Sequence, residues 1–328
     1  MPTNTSLAAI VEARAVFRGR LLRWYVRNRR ELPWRGTRDP YAIWISEIML
    51  QQTRVNAVVG HYRRFRERFP SLRELAAASE ADVLAAWSGL GYYRRARMMR
   101  LAAQQIVAEH AGVFPQTAAA LRELPGIGRY TAAAIASIAY DEPQAVVDGN
   151  VERVVGRIAG RALPQNAIWD FGQEVISQLH PGDFNQAMME LGAMVCTPKA
   201  PACGECPVRS FCRSRGRALV AKPKAARKVA AMHYIFARRR DCMLLVQRNA
   251  TTSLMPGMWE LPQQEASSGD LPLLRLRHAI TTTDFQVSIF AARGGKGRWV
   301  PLSEVSALPL TGLARKVLTR LGAIASSA

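Results

Sequence analysis

The chain has 328 residues, of which 49% are hydrophobic, so it can bury a sizeable core and we do not expect wholesale disorder. Its 45 Lys and Arg against 25 Asp and Glu leave a formal net charge of +20, which favours a polyanionic partner. A solvated basic surface without such a partner is the alternative that charge alone leaves open. No apolar run reaches the roughly 18 residues of a membrane span. Glu12 and Arg14 interrupt the apolar N-terminus, so we expect neither a span nor a signal peptide.

Helical periodicity dominates the chain up to about Cys212. The apolar residues between positions 10 and 25 predict an amphipathic first helix. The dipeptide Asp39-Pro40 has the pattern of an N-cap followed by proline in the first helical position, which predicts a helix over 40–52. Another helix is predicted over 80–88, where two glycines end it.

The sharpest local motif is Leu124-Pro125-Gly126-Ile127-Gly128, between two helical segments. Its glycines permit backbone geometry that is closed to other residues, so we expect the amides of Gly126 and Gly128 to point outward where the second helix begins. Outward N–H groups at a helix N-terminus bind phosphate. The motif resembles the helix–hairpin–helix of DNA-binding proteins, and an ordinary turn between two helices is the alternative.

Four of the five cysteines follow the spacing Cys196-x6-Cys203-x2-Cys206-x5-Cys212. Such crowding in a large chain without export signals indicates metal ligation in a reducing compartment rather than disulfides. Four thiolates on one short loop suit a tetrahedral zinc ion or a four-iron cluster, and the spacing alone does not separate the two. Cys242 lies outside the loop and is interpreted as a small core residue.

Beyond Cys212 the sequence changes character. Residues 213–231 are rich in Ala, Lys, Arg and Pro and are interpreted as a basic linker. Strand-like runs and a final helix follow, so we expect a smaller α+β domain after the mainly α one. The predicted strands are 232–237, 242–247 and 285–291, and the predicted helix is 310–321. The predicted domains are 1–212, the linker 213–231, and 232–328.

Several long motifs stand in the chain in this order: Leu32-Pro33-Trp34-Arg35, Asp39-Pro40-Tyr41, Ser46-Glu47-Ile48-Met49-Leu50-Gln51-Gln52-Thr53, Gly89-Leu90-Gly91-Tyr92-Tyr93, Val147-Asp148-Gly149-Asn150-Val151 and Phe184-Asn185-Gln186-Ala187. Together they resemble the MutY family of adenine DNA glycosylases, which are helix–hairpin–helix enzymes of the endonuclease III superfamily. The resemblance is dense over residues 20–212 and looser beyond. The cysteine spacing resembles the cluster loop of that superfamily, which implies a [4Fe–4S] cluster on Cys196, Cys203, Cys206 and Cys212.

Cleaving the N-glycosidic bond of a purine needs a group that protonates the leaving base and a negative charge that faces the developing sugar cation. Two carboxylates in contrasting environments meet these needs. Glu47 stands in a helix among apolar residues such as Trp44 and Ile48, which should raise its pKa and keep it protonated. Asp148 stands at a predicted helix start, where N–H groups and the helix dipole favour its anion.

The resemblance implies the roles of these residues. Glu47 matches the acid that protonates adenine at its imidazole nitrogen, and Asp148 matches the residue that stabilises or captures the sugar cation. Asn150 and Tyr130 match residues that assist them, and a surface-facing helical glutamate is the alternative for Glu47. At position 130 the bifunctional relatives carry a lysine that forms a Schiff base and cuts the strand. A tyrosine forms no imine, so we expect a monofunctional glycosylase.

Other matched positions imply contacts with DNA. Gln52 and Tyr92 match residues that are inserted into the duplex when a base is extruded, because a planar side chain can stack where a base was. A core tyrosine beside a glycine is the alternative for Tyr92. Thr53 and Leu90 match positions near the opposing base. The matched positions of the adenine pocket are Arg30, Trp34 and Gln186, and the amide of Gln186 can bond the adenine edge bidentately.

The second predicted domain contains Gly257-Met258-Trp259-Glu260-Leu261-Pro262, which resembles the opening of a Nudix fold, as in the MutT-like domain of MutY. Residues 263–282 offer only Glu265 and Asp270, so we expect no Mg²⁺-holding helix and no diphosphate hydrolysis. In the family this domain recognises 8-oxoguanine opposite the adenine. Where many relatives carry Phe-Ser-His, this chain has Ile280-Thr281-Thr282, which implies weaker or different recognition, with Arg277 and His278 as further contacts. The alternative for His278 is that it is a core residue with its hydrogen bonds satisfied.

The sequence therefore predicts a base-excision-repair enzyme that removes adenine mispaired with 8-oxoguanine or guanine in double-stranded DNA. We expect a cytoplasmic, nucleoid-associated bacterial monomer with no membrane partner. A glycosylase acting on a thymine mismatch is the nearest rival, and Gln186 and the second domain argue against it. A non-catalytic, cluster-bearing DNA-binding or redox-sensing protein is the rival from another class. It needs neither Glu47 nor Asp148, and the chain has both.

Overall fold

The computed structural model describes residues 7–217, 227–249, 251–252, 255–265, 271–280 and 282–325. The described chain divides into two compact units. The first unit contains the described residues up to Val55, Ser71–Arg73 and the described residues from Ala102 to Arg217. The second contains Asn56–Pro70, Glu74–Leu101 and the C-terminal residues. The boundaries predicted from sequence (1–212, 213–231 and 232–328) differ from this grouping and stay a prediction.

The first unit is helical, and residues 56–70 and 74–101 of the second unit are mainly helical as well. Local sequence signals explain where several of them begin. Asp39 caps its helix, accepting a hydrogen bond from the backbone N–H of Tyr41, and Pro40 follows in the first helical turn, as predicted. The helices are α1 (Leu7–Glu12), α2 (Arg14–Asn28), α3 (Pro40–Leu50), α4 (Val55–Arg68), α5 (Leu72–Ala77), α6 (Glu80–Ala86), α7 (Arg94–Glu109), α8 (Ala118–Leu121), α9 (Arg129–Tyr140), α10 (Gly149–Ala159), α11 (Gln165–Val175), α12 (Pro181–Met194), α13 (Leu302–Val305) and α14 (Gly312–Arg320).

The described strands, all in the C-terminal residues, form two sheets. One has the order β1-β6-β5, with β1 parallel and β5 antiparallel to β6. In the other, β3 pairs antiparallel with β2, β4 and β7. The strands are β1 (Lys228–Phe236), β2 (Arg238–Arg239), β3 (Cys242–Gln247), β4 (Trp259–Glu260), β5 (Leu274–Ile280), β6 (Thr283–Ala291) and β7 (Arg298–Pro301).

Each unit has an apolar core. In the first, α2, α10, α11 and α12 contribute buried residues such as Phe17, Val155 and Leu191. In the second, the sheets pack on the C-terminal helix through residues such as Trp259 and Val317. In the described part of the chain, no helix has the length and apolar character needed to cross a bilayer.

The structure corrects several boundaries. The prediction of a single first helix is wrong, because the helix is interrupted at Ala13, between α1 and α2. Residues 228–231, assigned to the linker, are already in β1, where they pair with β6; residues 218–226 of that linker lie outside the described residues. Strands β2, β4, β5 and β7 were not predicted. The sequence of β5 alternates apolar and polar residues over Leu274-Arg275-Leu276-Arg277, and its exposure alternates in the same way, so the signal for this strand was present in the sequence.

Candidate active site

A cavity of about 570 Å³ lies within the first unit. Its size is in the range of small-molecule sites. It brings together the four predicted catalytic residues and five of the predicted DNA-binding or base-binding residues. These are Glu47, Tyr130, Asp148 and Asn150, with Arg30, Trp34, Gln52, Thr53 and Gln186. The predicted residues Leu90, Tyr92, Gly126 and Gly128 do not line the cavity.

Glu47 is buried at the cavity wall, with 6% of its surface exposed. It lies on α3 with buried apolar neighbours, so its surface-facing alternative is wrong. Burial raises the pKa of its carboxyl, against the lowering effects of a hydrogen bond from Tyr130 and of the charge on Arg35. The group is therefore held towards its protonated form, as its sequence context predicts.

Asp148 is the N-cap of α10, and both oxygens of its carboxylate accept hydrogen bonds there. Oδ1 accepts hydrogen bonds from the backbone N–H groups of Asn150 and Val151, at 2.9 and 2.8 Å. Oδ2 accepts from the side-chain amide of Asn150 at 2.7 Å. Three N–H donors thus hold the carboxylate in place at the N-terminus of α10. The two carboxyl groups of the cavity therefore differ in environment, one buried among apolar side chains and one bonded to N–H donors.

Tyr130 lies in the first turn of α9, and its hydroxyl donates to Glu47 Oε2 at 2.7 Å. Burial, followed by the charges of Glu47 and Asp148, raises the pKa of the phenol well above 10.0. The phenol therefore stays protonated and acts as a donor. Because its bond occupies Oε2 of Glu47, the acidic proton of a neutral Glu47 belongs on Oε1.

Glu190, which sequence reasoning did not single out, organises the other side of the cavity. Its carboxylate accepts two hydrogen bonds from the guanidinium of Arg30, at 2.7 and 2.9 Å, and one from Arg35 at 2.8 Å. Burial acts to raise the pKa of Glu190, but the bonds from Arg30 and the charge of Arg35 outweigh it and lower the pKa. Arg35 also donates to Gln186 Oε1 at 2.5 Å. The spacing of Gln186 and Glu190, one helical turn apart, is the signal that was available in the sequence.

Asn150, in the first turn of α10, packs closely against α12. A Cβ at Gly192 would lie 2.5 Å from the Cβ of Asn150, so only glycine permits this approach. The side-chain oxygen of Asn150 accepts from Arg153 at 2.7 Å, and Arg153 Nε donates to the carbonyl of Cys196 at 2.8 Å. Arg153 thus links Asn150, which is a hydrogen-bond partner of Asp148, to Cys196, the first residue of the cysteine loop.

The hairpin before α9 contains one constrained glycine. Gly126 has φ +76°, in the left-handed region that favours glycine. Gly128 is the N-cap of α9 with φ −86°, an ordinary value, so the expectation of special geometry at both glycines is wrong. A Cβ at Gly128 would meet nothing within 4 Å. The absence of a side chain at Gly128 therefore leaves open space at the N-terminus of α9, and it does not relieve backbone strain.

Gln52 and Tyr92, the two residues expected to enter the duplex, both have left-handed backbones. Gln52 follows α3 with φ 58°, in the first unit. Tyr92 has φ 50° and 51% exposure in the second unit, so its alternative as a core tyrosine is wrong. Strained non-glycine residues of this kind cluster at functional sites. Leu90 is buried, with 6% exposure, so the free protein does not present it for a contact with an opposing base.

The four cysteines of the loop are the candidate ligands of a shared prosthetic group. All are free and partly buried, and three of them pack on the core of the first unit. Burial raises the pKa of Cys206 to about 11, and the three other thiols of the loop add to this rise. Arg157 donates to Cys196 Sγ at 3.3 Å and to the carbonyls of Thr197 and Pro198, so a cation supports this end of the loop. Cys242 is free and partly buried in β3.

The expected contact segment of the C-terminal residues is a tight hairpin. Ile280 ends β5 and pairs with Thr283 at the start of β6, and Thr281 lies outside the described residues, as does Asp270. Arg277 is exposed in β5. His278 is partly buried, and burial, then the charge of Lys316, lowers its pKa. Of this segment, the described residues Ile280 and Thr282 lie where β5 ends and β6 begins, and Arg277 lies on β5.

Two family models match the chain. The HhH-GPD superfamily of base excision DNA repair proteins matches residues 45–165, which include Glu47, Tyr130 and Asp148. The iron–sulfur binding domain of endonuclease III matches residues 196–212. Its match covers all four cysteines of the loop, which are therefore assigned to a [4Fe–4S] cluster, and the zinc alternative is set aside.

Curated relatives and solved structures point the same way. The chain is 47% identical to the adenine DNA glycosylase of Mus musculus over 216 residues, which cover 61% of this chain and 42% of the relative. It is 36% identical to the adenine DNA glycosylase of Arabidopsis thaliana over 292 residues, 74% of this chain and 46% of the relative. A thermostable thymine-DNA glycosylase aligns with a TM-score of 0.58 at 30% identity, over 62% of this chain and 97% of that one. The chain spans less than half the length of the two curated relatives.

Proposed function

Since this chain belongs to the HhH-GPD superfamily of base excision DNA repair proteins, we propose that it is a glycosylase that removes adenine from mispairs in double-stranded DNA. The observation that carries the proposal is the pair of unlike carboxyl groups in one cavity. Glu47 is buried and held towards its neutral form, while Asp148 is bonded to three N–H donors. An acid and an anion at one site meet both needs of N-glycosidic cleavage.

In the proposed reaction, Glu47 Oε1 gives its proton to a ring nitrogen of the extruded adenine. The base then leaves as a neutral group, and the bond between it and the sugar breaks. The carboxylate of Asp148 faces the sugar cation that develops, and its N–H partners hold it in place without reorganisation. A water molecule adds to the sugar carbon, and the proton that it loses restores the neutral form of Glu47 through solvent.

The adenine pocket lies on the side organised by Glu190. Because Glu190 fixes both Arg30 and Arg35, their guanidinium groups are positioned before a base arrives. Gln186 Oε1 already accepts from Arg35 and has a second lone pair, so the amide can still meet the adenine edge with both ends. Trp34, buried at the cavity wall, offers an apolar face for the purine ring.

The proposed enzyme is monofunctional. The residues that line the cavity, all in the described chain, include no lysine, and Tyr130 occupies the position next to Glu47. A phenol whose pKa is raised gives no imine with the aldehyde of an abasic sugar. We expect intact abasic DNA as the product.

We further propose that the enzyme acts as a monomer on the bacterial chromosome in the cytoplasm. The C-terminal residues would form a Nudix-like domain that reads 8-oxoguanine opposite the adenine. The exposed Arg277 beside the β5–β6 hairpin supports a contact there with the opposing strand. The cysteine loop, with its cluster bound, would present a cationic surface to phosphate; the cluster supplies a rigid cross-link of four thiolates.

A single-turnover assay tests the proposal. Duplexes with adenine opposite 8-oxoguanine, guanine or thymine, and with thymine opposite guanine, are incubated with excess protein and run on denaturing gels with and without alkali. We expect release from the adenine mispairs, and strand breaks only after alkali. Release of thymine from its mispair, and none of adenine, would favour the activity named for the thymine-DNA glycosylase.

Matched variants locate the acid. Glu47→Gln keeps the shape of the side chain and removes its proton, so we expect the base-release rate to fall at least about a hundredfold while the mispaired duplex is still bound. Glu67→Gln changes an exposed glutamate of α4 and serves as the control. A Glu47→Gln rate within a fewfold of wild type would remove Glu47 from this role.

A further inference from the structure

The turn that carries Tyr92 is held by the C-terminal residues of its own unit. Gly89, Gly91 and Tyr92 all have left-handed backbones, with φ values of 103°, 69° and 50°. Such a turn is strained at tyrosine and persists only where its surroundings hold it. What anchors the turn therefore also sets where Tyr92 points.

One carbonyl oxygen anchors both ends of this turn. Ser88, just before it, donates its hydroxyl to the carbonyl of Leu310 at 3.0 Å. Tyr93, just after it, donates to the same oxygen at 2.9 Å. Both donors are buried, with 4% and 3% exposure. The turn between them is thus tied at both ends to a single point that lies more than two hundred residues later in the chain.

Arg315 on α14 extends this set of bonds. Its Nε donates to the hydroxyl oxygen of Ser88 at 2.8 Å, which leaves the hydroxyl proton of Ser88 to go to Leu310. The packing is close, because a Cβ at Gly89 would lie 3.2 Å from the ring of His61 and 3.9 Å from Arg315 Cδ. Burial, with the charges of Arg64 and Arg315, lowers the pKa of His61 to about 4, so this ring is neutral near pH 7.

The anchoring carbonyl is itself fixed. Leu310 is fully buried in the core of the second unit, beside Trp259 and Leu313. The backbone N–H of Trp259 donates to Pro309, and that of Thr311 donates to Trp259, both at 2.9 Å. Two backbone bonds to one strand therefore flank Leu310 and keep its oxygen in place.

We propose that the segment Leu310–Arg315 is a brace that positions Tyr92 for base extrusion, with Ser88, Tyr93 and Arg315 as positioning residues. This inference rests on the proposed function, in which Tyr92 enters the duplex. It gives the C-terminal residues a second role, in the extrusion of the target base, that is independent of which base stands opposite. Loss of the brace lowers the extruded population of DNA without changing the chemistry in the cavity.

The test uses the full chain with one bond of the brace removed at a time. Tyr93→Phe keeps the ring and removes its hydroxyl, Ser88→Ala removes two bonds, and Arg315→Ala removes one. Extrusion is measured as the fluorescence gain of 2-aminopurine at the target position, and base release as the single-turnover rate. We expect each to fall about two- to tenfold per bond removed. Arg320→Ala, an exposed arginine at the end of α14, is the matched control and should match wild type.

A second substrate separates positioning from general damage. A duplex with an abasic-site analogue at the target has no base to extrude, so the three variants should bind it as wild type does. Equal losses on both duplexes would mean that the bonds only support the fold, and would overturn the proposal. Ser88→Ala combined with Arg315→Ala should be no worse than Ser88→Ala alone, because both act through one hydroxyl.

The outcomes also separate this inference from the proposed function. A wild-type chain that releases no adenine from any duplex contradicts the proposed activity, while 2-aminopurine fluorescence still tests the brace. A wild-type chain that releases adenine, with variants that extrude 2-aminopurine as well as it does, contradicts the brace alone.

Discussion

Glu47 and Tyr130 show how two buried side chains set each other's protonation. Burial raises the pKa of the carboxyl, and the hydrogen bond from Tyr130 partly opposes that rise. The carboxylate in turn raises the pKa of the phenol. Burial therefore favours the protonated form of both residues, which it does not do for a pair of freely exposed groups.

Tyr130→Phe is expected to move the pH profile of base release. Removing the hydroxyl removes an effect that lowers the pKa of Glu47, so that pKa rises further. Glu47 acts while protonated, and the rate falls as pH rises through its pKa, so the descending limb should shift to higher pH. Single-turnover rates measured across pH for both proteins check this. Tyr140→Phe, on the same helix, is the control, and a limb that shifts to lower pH would contradict the assignment.

At the scale of elements, the two glycines before α9 have different roles: one is required by the backbone of the hairpin, and the other leaves space for a ligand. Gly126 has a left-handed backbone, whereas Gly128 has an ordinary one and open space where a side chain would stand. The N–H groups of the first turn of α9 have no partners within their own helix, so they are suited to a phosphate.

Gly128→Ala should therefore weaken DNA binding more than it weakens the fold. A methyl group there has room in the free protein, and alanine at an N-cap costs about 1 kcal/mol of unfolding free energy. In the complex the methyl group would stand between the helix end and the phosphate, so we expect roughly tenfold weaker binding of a mispaired duplex. Thermal unfolding and a binding titration measure the two effects. Gly294→Ala, where a Cβ also meets nothing within 4 Å, is the control. Unchanged affinity would show that no phosphate approaches Gly128.

The cysteine loop is a second element whose role can be tested apart from the cavity. Cys203→Ser should lose iron and the colour of the protein, because one of four thiolate ligands is removed. DNA binding should be lost before catalysis, since the loop and its arginine contacts lie outside the cavity. Iron and sulfide content, duplex affinity and single-turnover rate are the measurements. Cys242→Ser, outside the loop, should keep its iron, and stoichiometric zinc in anaerobically prepared wild type would contradict the cluster.

For the whole molecule, the net charge of +20 is the property with the widest consequence. Binding of a duplex releases counterions from its phosphates, so affinity falls with salt in proportion to the number of contacts. With Glu47→Gln, which cannot turn over, we expect the affinity for a mispaired duplex to fall about a thousandfold or more between 50 and 200 mM salt. A fully paired duplex of the same length is the control and should show a similar slope. A change in affinity of less than about threefold would show that the positive charges lie on a solvated surface that does not contact DNA.

Local signals in the sequence were enough for several features of this protein. The caps Asp39 and Asp148 could be identified because a cap bonds to N–H groups within three residues. The buried position of Glu47 followed from its apolar helical neighbours, and the identity of Tyr130 from the chain itself. The family assignment and the cysteine loop rest on motifs that are also contiguous in sequence.

Only the tertiary structure decided features that depend on distant parts of the chain. Glu190 meets Arg30 across 160 positions, and Ser88 meets Leu310 across 222. Strand β7 is a strand because of its pairing with β3, and the residues 56–70 and 74–101 group with the C-terminal residues by contact. The left-handed backbone of Tyr92 also depends on contacts with distant residues. Each of these features is set by which surfaces pack together, and residues that are near in sequence carry no record of that.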